Sequence, residues 1–148
     1  MGIFKPTKVE ILMETIRLIV EVVLDIWFFG CICTYKIGRH TLVDGEGVKS
    51  PEFVMFSLYS IGIVLSVVYP SVGFWWLLVV LVSWFVIQFF CHWYYTIFGA
   101  SEKKLKGYNS CFSHTVHIIP SSDKRLIPDL YHIILHILIL VNIVLLFF

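Results

Sequence analysis

Glu21 and Asp25 lie one helical turn apart inside the apolar run LIVEVVLDIWFF, residues 18–29. A carboxylate in such a run must find a partner, give up its charge, or handle protons and cations. Glu10, Glu14, Arg17, Glu21 and Asp25 are spaced 4, 3, 4 and 4. At about 100° per residue they fall within an arc of roughly 80°. Every other residue from Val9 to Trp27 except Thr15 is apolar. The carboxylates therefore form one polar seam that must face protein or water. Pairing of Glu14, Arg17 and Glu21 within the helix, or an interfacial amphipathic start to it, accounts for the outer part of the seam. Asp25 has no basic residue within a turn and needs a partner elsewhere.

Other polar residues share its depth. Counting about 1.5 Å per residue from the boundary near Tyr35, Tyr94 and Asp129, Asp25 is roughly 15 Å deep, Gln88 roughly 9 Å and His136 roughly 10 Å. Glu21 and Asn142 both fall near 20 Å on the same scale. The spacing predicts an intramembrane polar cluster of Asp25, Gln88 and His136, extended toward the surface by His92 and His132. A second polar level holds Glu21 and Asn142. Such a cluster can pass protons or bind a metal ion. The plainer reading is interhelical hydrogen bonding, about 0.6 kcal/mol per bond.

The segment CFSHTVH places Cys111, His114 and His117 at steps of three. Thiolate and imidazole in one short loop suit zinc, with His92 among the candidates for a fourth ligand. A haem between His92 and His132 or His136 is the lesser alternative. A solvated loop with incidental histidines takes precedence over both. Lys103, Lys104 and Lys106 in EKKLKGY are expected to rest on anionic lipid headgroups, at about 1 kcal/mol each. No phosphate loop, nucleophile elbow or HExxH stands in the chain.

The elements that must position these residues are hydrophobic. The 148 residues are 59% apolar and 14% charged, against about 45–50% and about 25% in soluble domains. The expected fold is all-α: a polytopic integral membrane protein with a bundle of four transmembrane helices, the first amphipathic at its N-terminal end. The spans are about 8–35, 53–69, 72–98 and 126–148, in a single domain. A bilayer crossing needs about 20 residues. YPSVG turns the second span into the third as an antiparallel hairpin, and Gly62 with Ser66 offers a small-residue packing face. Trp75 and Trp76 mark one interface; Trp93, Tyr94 and Tyr95 mark the other.

The loops 36–52 and 99–125 share one side. It holds Lys36, Arg39, Lys49, Lys103, Lys104, Lys106, Lys124 and Arg125, against Lys5, Lys8 and Arg17 toward the other. This basic side is expected to be cytoplasmic and both termini non-cytoplasmic. Cys31, Cys33, Cys91 and Cys111 then stay reduced. The N-terminus lacks the pattern of a cleavable signal, and Pro6 stands where myristoylation wants Ser or Thr. A net charge of +1 excludes nucleic acid as a partner.

Three functions suit these features. The first is a small non-enzymatic membrane subunit that self-assembles or joins other membrane subunits through its seam, which is more polar than four helices require. The second is a proton or metal-cation channel or carrier using Glu21, Asp25, Gln88 and His136. The third is a metal- or haem-binding redox or hydrolytic protein using the basic-side histidines.

Overall fold

The computed structural model of the protein describes residues 7–148. The readings placed on Lys5 and Pro6 lie outside the described residues. Within them the chain is mostly helical, with α1 Lys8–Phe28, α2 Pro51–Val68, α3 Pro70–Phe98, α4 Glu102–Phe112 and α5 Leu130–Leu145.

Every helix but α3 begins on a side-chain cap that the sequence supplies. Thr7 and Glu10 form a capping box at α1. Ser50 caps α2 ahead of Pro51, whose missing N–H costs nothing in a first turn. Ser101 caps α4, and Asp129, preceded by Pro128, caps α5. That cap starts the last helix four residues later than the span expected from Leu126. The first helix likewise stops at Phe28, with one 3₁₀ turn to Cys31, rather than reaching Tyr35.

Tyr69 alone joins α2 to α3, so the two run antiparallel. A Cβ on Gly73 would collide with the Ser66 backbone, and one on Gly62 with the Leu77 side chain. The small residues thus let the two backbones approach. Trp76 locks the pair by donating from Nε1 to the Leu58 carbonyl at 2.8 Å. α1 packs against α2 and α5, and α3 against α2 and α5, closing an up-down-up-down ring of four helices. Its core is Leu24, Phe28, Tyr59, Leu77, Leu81, Trp84, Leu135 and Ile139.

α2 and α3 are long and apolar enough to cross a membrane. α1, with 21 residues, carries a charge at nearly every turn. α5 is apolar, but its 16 residues span only about 24 Å of a core about 30 Å thick.

The basic side is more structured than two loops. Residues 35–43 form a hairpin, β1 Tyr35–Ile37 and β2 His40–Val43, so the all-helical expectation is corrected there. Gly38, at φ +60°, takes the left-handed position that a two-residue hairpin turn demands. Thr41 continues into a bridge with Thr115, and Val116 N–H donates to the Thr41 carbonyl. The segment 99–125 contains α4, amphipathic and anchored by buried Leu105. Hairpin and α4 together cover the basic-side mouth of the bundle.

Candidate functional site

In the last third of α3, at Phe89–Trp93, the helix widens to a single π turn. Such a turn inserts one residue into the ladder and rotates the rest of the helix beyond it, and such turns recur at functional sites. Here Trp84, Gln88, Cys91 and His92 all line one cavity of about 260 Å³. Glu52 from the start of α2, His132 from α5, and Tyr108 and Phe112 from α4 complete most of its wall. Asp44 and Glu46, in the segment after the hairpin, and Lys104 of α4 also line it, the first two exposed.

His132 is fixed by the cap of its own helix. Asp129 is fully buried and its Oδ1 accepts from His132 N–H at 2.9 Å and from Nδ1 at 2.6 Å. Asp129 Oδ2 accepts from Thr115 at 2.8 Å. Burial pushes this carboxyl up, but the bonds and charge of His132, together with Thr115, outweigh it and hold the group below the ordinary carboxylate range. In its neutral form an imidazole whose Nδ1–H is held by a carboxylate would present Nε2 as an acceptor, the arrangement of a general base. His92 stacks on His132 with centroids 4.2 Å apart, and its Nδ1 lies 2.7 Å from the Tyr108 hydroxyl.

Three buried polar atoms on residues lining this cavity are unanswered among the described residues. Gln88 is 5% exposed and its Oε1 has no partner; Glu52 Oε2 and the donor Trp84 Nε1 are also buried without one. Buried polar atoms are satisfied in the great majority of cases, by protein, water or a bound group, so these atoms call for a partner that the described side chains do not supply.

The depth-matched cluster divides. Gln88, His92 and His132 share the cavity. Asp25 does not join them: its Oδ1 accepts from Ser60 at 2.8 Å across the α1–α2 interface. His136 sits between Phe85 and Trp93, at centroid distances of 4.4 and 6.0 Å. Glu21 and Asn142 do share a level, linked through Tyr59. The Tyr59 hydroxyl lies 3.2 Å from both the Glu21 carbonyl and Asn142 Oδ1, and Asn142 Nδ2 donates to the Leu138 carbonyl. The Glu21 carboxylate is buried. It lies 3.5 Å from Arg17 Nε, an ion pair without an aligned hydrogen bond, and 3.4 Å from Ser66 Oγ. Arg17, Glu21, Glu14 and Ser66 line a groove at the end of the bundle opposite the cavity. Leu24, Phe28, Leu81 and Trp84 separate the two, with the Phe28 and Trp84 rings edge to face at 5.4 Å.

The loop triad does not converge. α4 ends at Phe112, so Cys111 stays exposed on the helix, while His114 and His117 follow on backbone leading away from it. His114 Nε2 pairs with Asp44 Oδ2 at 2.9 Å, and His117 Nδ1 lies 2.9 Å from the Thr115 carbonyl. Among the described residues no three His, Cys, Asp or Glu side chains are placed to hold a metal ion. Stacked His92 and His132 leave no space for a porphyrin between them, so the pair does not fit haem. Lys103, Lys104 and Lys106 are exposed, and Lys104 Nζ lies 5.0 Å over the Tyr95 ring.

Asp129, Glu52 and Tyr108 escaped the sequence reading. The PDLYH segment carries a signal for the first: Asp after Pro, three residues before His, is a helix cap that can also reach the imidazole. Comparison with protein-family models, with curated proteins and with solved structures returned no match.

Proposed function

We propose that the protein is a four-span integral membrane protein that binds a small polar or cationic solute in its basic-side cavity. α1, α2, α3 and α5 are the spans, with the basic side cytoplasmic and both termini on the far side. Outward-facing apolar side chains on every one of these helices support insertion, among them Ile19 and Val23 on α1, Val64 on α2, Val79 and Val86 on α3, and Leu140 and Val144 on α5. A soluble monomer rarely carries an apolar surface of that extent. The orientation follows from the Lys and Arg asymmetry. The observation that carries the binding reading is the pair of unanswered acceptors, Gln88 Oε1 and Glu52 Oε2, in one cavity beside the Asp129–His132 dyad.

In the carrier version of this reading, solute would pass between the cavity and the Arg17–Glu21 groove. That passage needs Phe28 and Trp84 to part. The self-assembling subunit is a second reading. It draws on the outer turns of α1, where Val9, Leu12, Ile16 and the carboxylates Glu10 and Glu14 are all exposed.

Cys91 is exposed and lines the cavity, which makes it the reporter. In a chain with Cys33→Ser and Cys111→Ser, a membrane-impermeant thiol reagent should label Cys91 in inside-out vesicles and spare it in right-side-out ones. Equal labelling from both faces, or from the far face only, overturns the orientation. Failure of any small solute to slow the labelling overturns the binding reading.

A further inference from the structure

Val9, Leu12, Ile16, Ile19, Val23 and Ile26 repeat along α1 at steps of 3, 4, 3, 4 and 3. That is the a/d pattern of a coiled coil, with Val9, Ile16 and Val23 at a and Leu12, Ile19 and Ile26 at d. All six are exposed, from 38% at Ile16 to 68% at Val9. The f positions point the other way, and two of them, Glu21 and Phe28, are buried in the bundle. Every charge from Val9 to Trp27 falls outside the seam: Glu10 and Arg17 take b, Glu14 and Glu21 take f, and Asp25 takes c. The e and g positions over that stretch are Met13, Thr15, Val20, Val22 and Trp27, all uncharged.

The outer half of this stripe has no cover within the chain. No residue of α1 before Glu21 is buried. α2 ends at Val68, just past the Ser66 that meets Glu21, and α5 ends at Leu145, just past Asn142. α1 instead extends back to Lys8, so its outer turns reach roughly 10 Å beyond those ends. In lipid an apolar stripe between helices brings no hydrophobic gain. With the bundle as the spanning unit, Val9 and Leu12 lie past the hydrocarbon, where burial does bring one and a lone helix of a few turns is marginal.

Deepening the self-assembly reading above, we infer that two copies of the chain pair through α1 as a parallel two-stranded coiled coil. Copies inserted in one orientation have parallel first helices, and a two-fold axis along the membrane normal sets each seam residue against its own counterpart. Val9 and Ile16 at a with Leu12 at d is the combination that favours two strands. Ile at the inner d positions, 19 and 26, favours more, but there α2 and α5 flank α1 and leave it one open side. Covering the exposed part of the six side chains removes roughly 500–600 Å² per chain, or about 1,100 Å² for the pair, and Met13, Thr15 and Val22 beside the seam bring this to the range where specific interfaces begin, about 1,200 Å².

The experiment uses the full chain with Cys33→Ser, Cys91→Ser and Cys111→Ser, in detergent and in lipid vesicles. Single cysteines are placed along α1 and oxidised, and the mass of the unmodified protein is read by light scattering. Cysteine at Val9, Leu12, Ile16 or Ile19 should form a disulfide-linked dimer at least about fivefold faster than at Ile11, Glu14 or Leu18, since counterparts in the seam lie within disulfide reach. The mass should be that of two chains. Leu12→Asp and Ile16→Asp set like charges against each other and should shift the protein to monomer, while Glu14→Lys, off the seam, should not. Both seam variants lie outside the bundle core, and unchanged helical dichroism would show them folded. A dimer mass with crosslinks spread evenly around α1 would overturn the seam and leave self-assembly through another face. A mass of three or more chains would overturn the two-stranded pairing. A monomer mass in detergent, with no crosslink in vesicles, would overturn seam and self-assembly together; a Leu12→Cys thiol shielded in those vesicles from an aqueous reagent would then assign the stripe to lipid.

Discussion

Asp129 holds α5, His132 and the basic-side cover together, and its removal can be worked through bond by bond. Its carboxylate caps α5 through the His132 N–H, anchors the His132 ring through Nδ1 and accepts from Thr115. Asp129→Asn keeps an oxygen for the cap and the ring. Its new amide can donate to Thr115 Oγ1, whose own proton then serves the Phe112 carbonyl, 2.7 Å away. What is lost is charge assistance, worth about 1–2 kcal/mol. Asp129→Ala removes the cap, about 1 kcal/mol, and leaves a buried ring nitrogen unanswered, about 1–3 kcal/mol, for a total of about 2–4 kcal/mol. Unfolding in mixed micelles, followed by helical dichroism, measures both. The folded carboxyl lies below its ordinary range. Its contribution is therefore complete above the unfolded value of about 3.9 and is lost as the pH falls through the lower folded one. That acid-dependent component should vanish in Asp129→Asn. An alanine variant no less stable than the asparagine one, or an acid limb identical to wild type in both, would refute the account.

Two further predictions concern packing and the basic-side cover. Gly73→Ala should cost about 1–3 kcal/mol in the same unfolding assay, because its methyl group meets the Ser66 backbone rather than a side chain that can turn aside; a neutral effect would show that α2 and α3 separate freely. Asp44 is held below the usual carboxylate range by hydrogen bonds from Thr34 and then His114, so whatever it adds to stability is present above about pH 3.9 and fades as the pH falls through its folded value. Thr34→Ala or His114→Ala should each move its titration upward in a carboxyl-carbon NMR series, and a curve unchanged by both would rule those bonds out.

Apolar content and turn signals are local, so the four long apolar helices were legible, as was the antiparallel fold-back at Tyr69-Pro70. The ends at Phe28 and Leu130, the latter set by the Asp129 cap, and the helix Glu102–Phe112 inside the segment expected to be a loop were not. The common level of Glu21 and Asn142, and of His92 and His132, was legible too, because rise per residue is a local property. Depth is only one coordinate of a buried side chain. The other is its direction around the helix axis relative to neighbours, which depends on how the helices are rotated as they pack. That rotation is set by Gly62 and Gly73 against α2–α3 partners and by Trp27 stacked on Tyr131, contacts spanning up to 104 residues of chain. It aims Asp25 at Ser60 and turns His136 between Phe85 and Trp93. The π turn at Phe89–Trp93 then shifts His92 by a further residue's angle, onto His132. The cavity is drawn from the starts or ends of several elements, none of which marks it alone. Gln88 reads in sequence as one amide in an apolar helix; only the packed structure leaves its oxygen buried and unanswered, because only packing decides which donors come within reach.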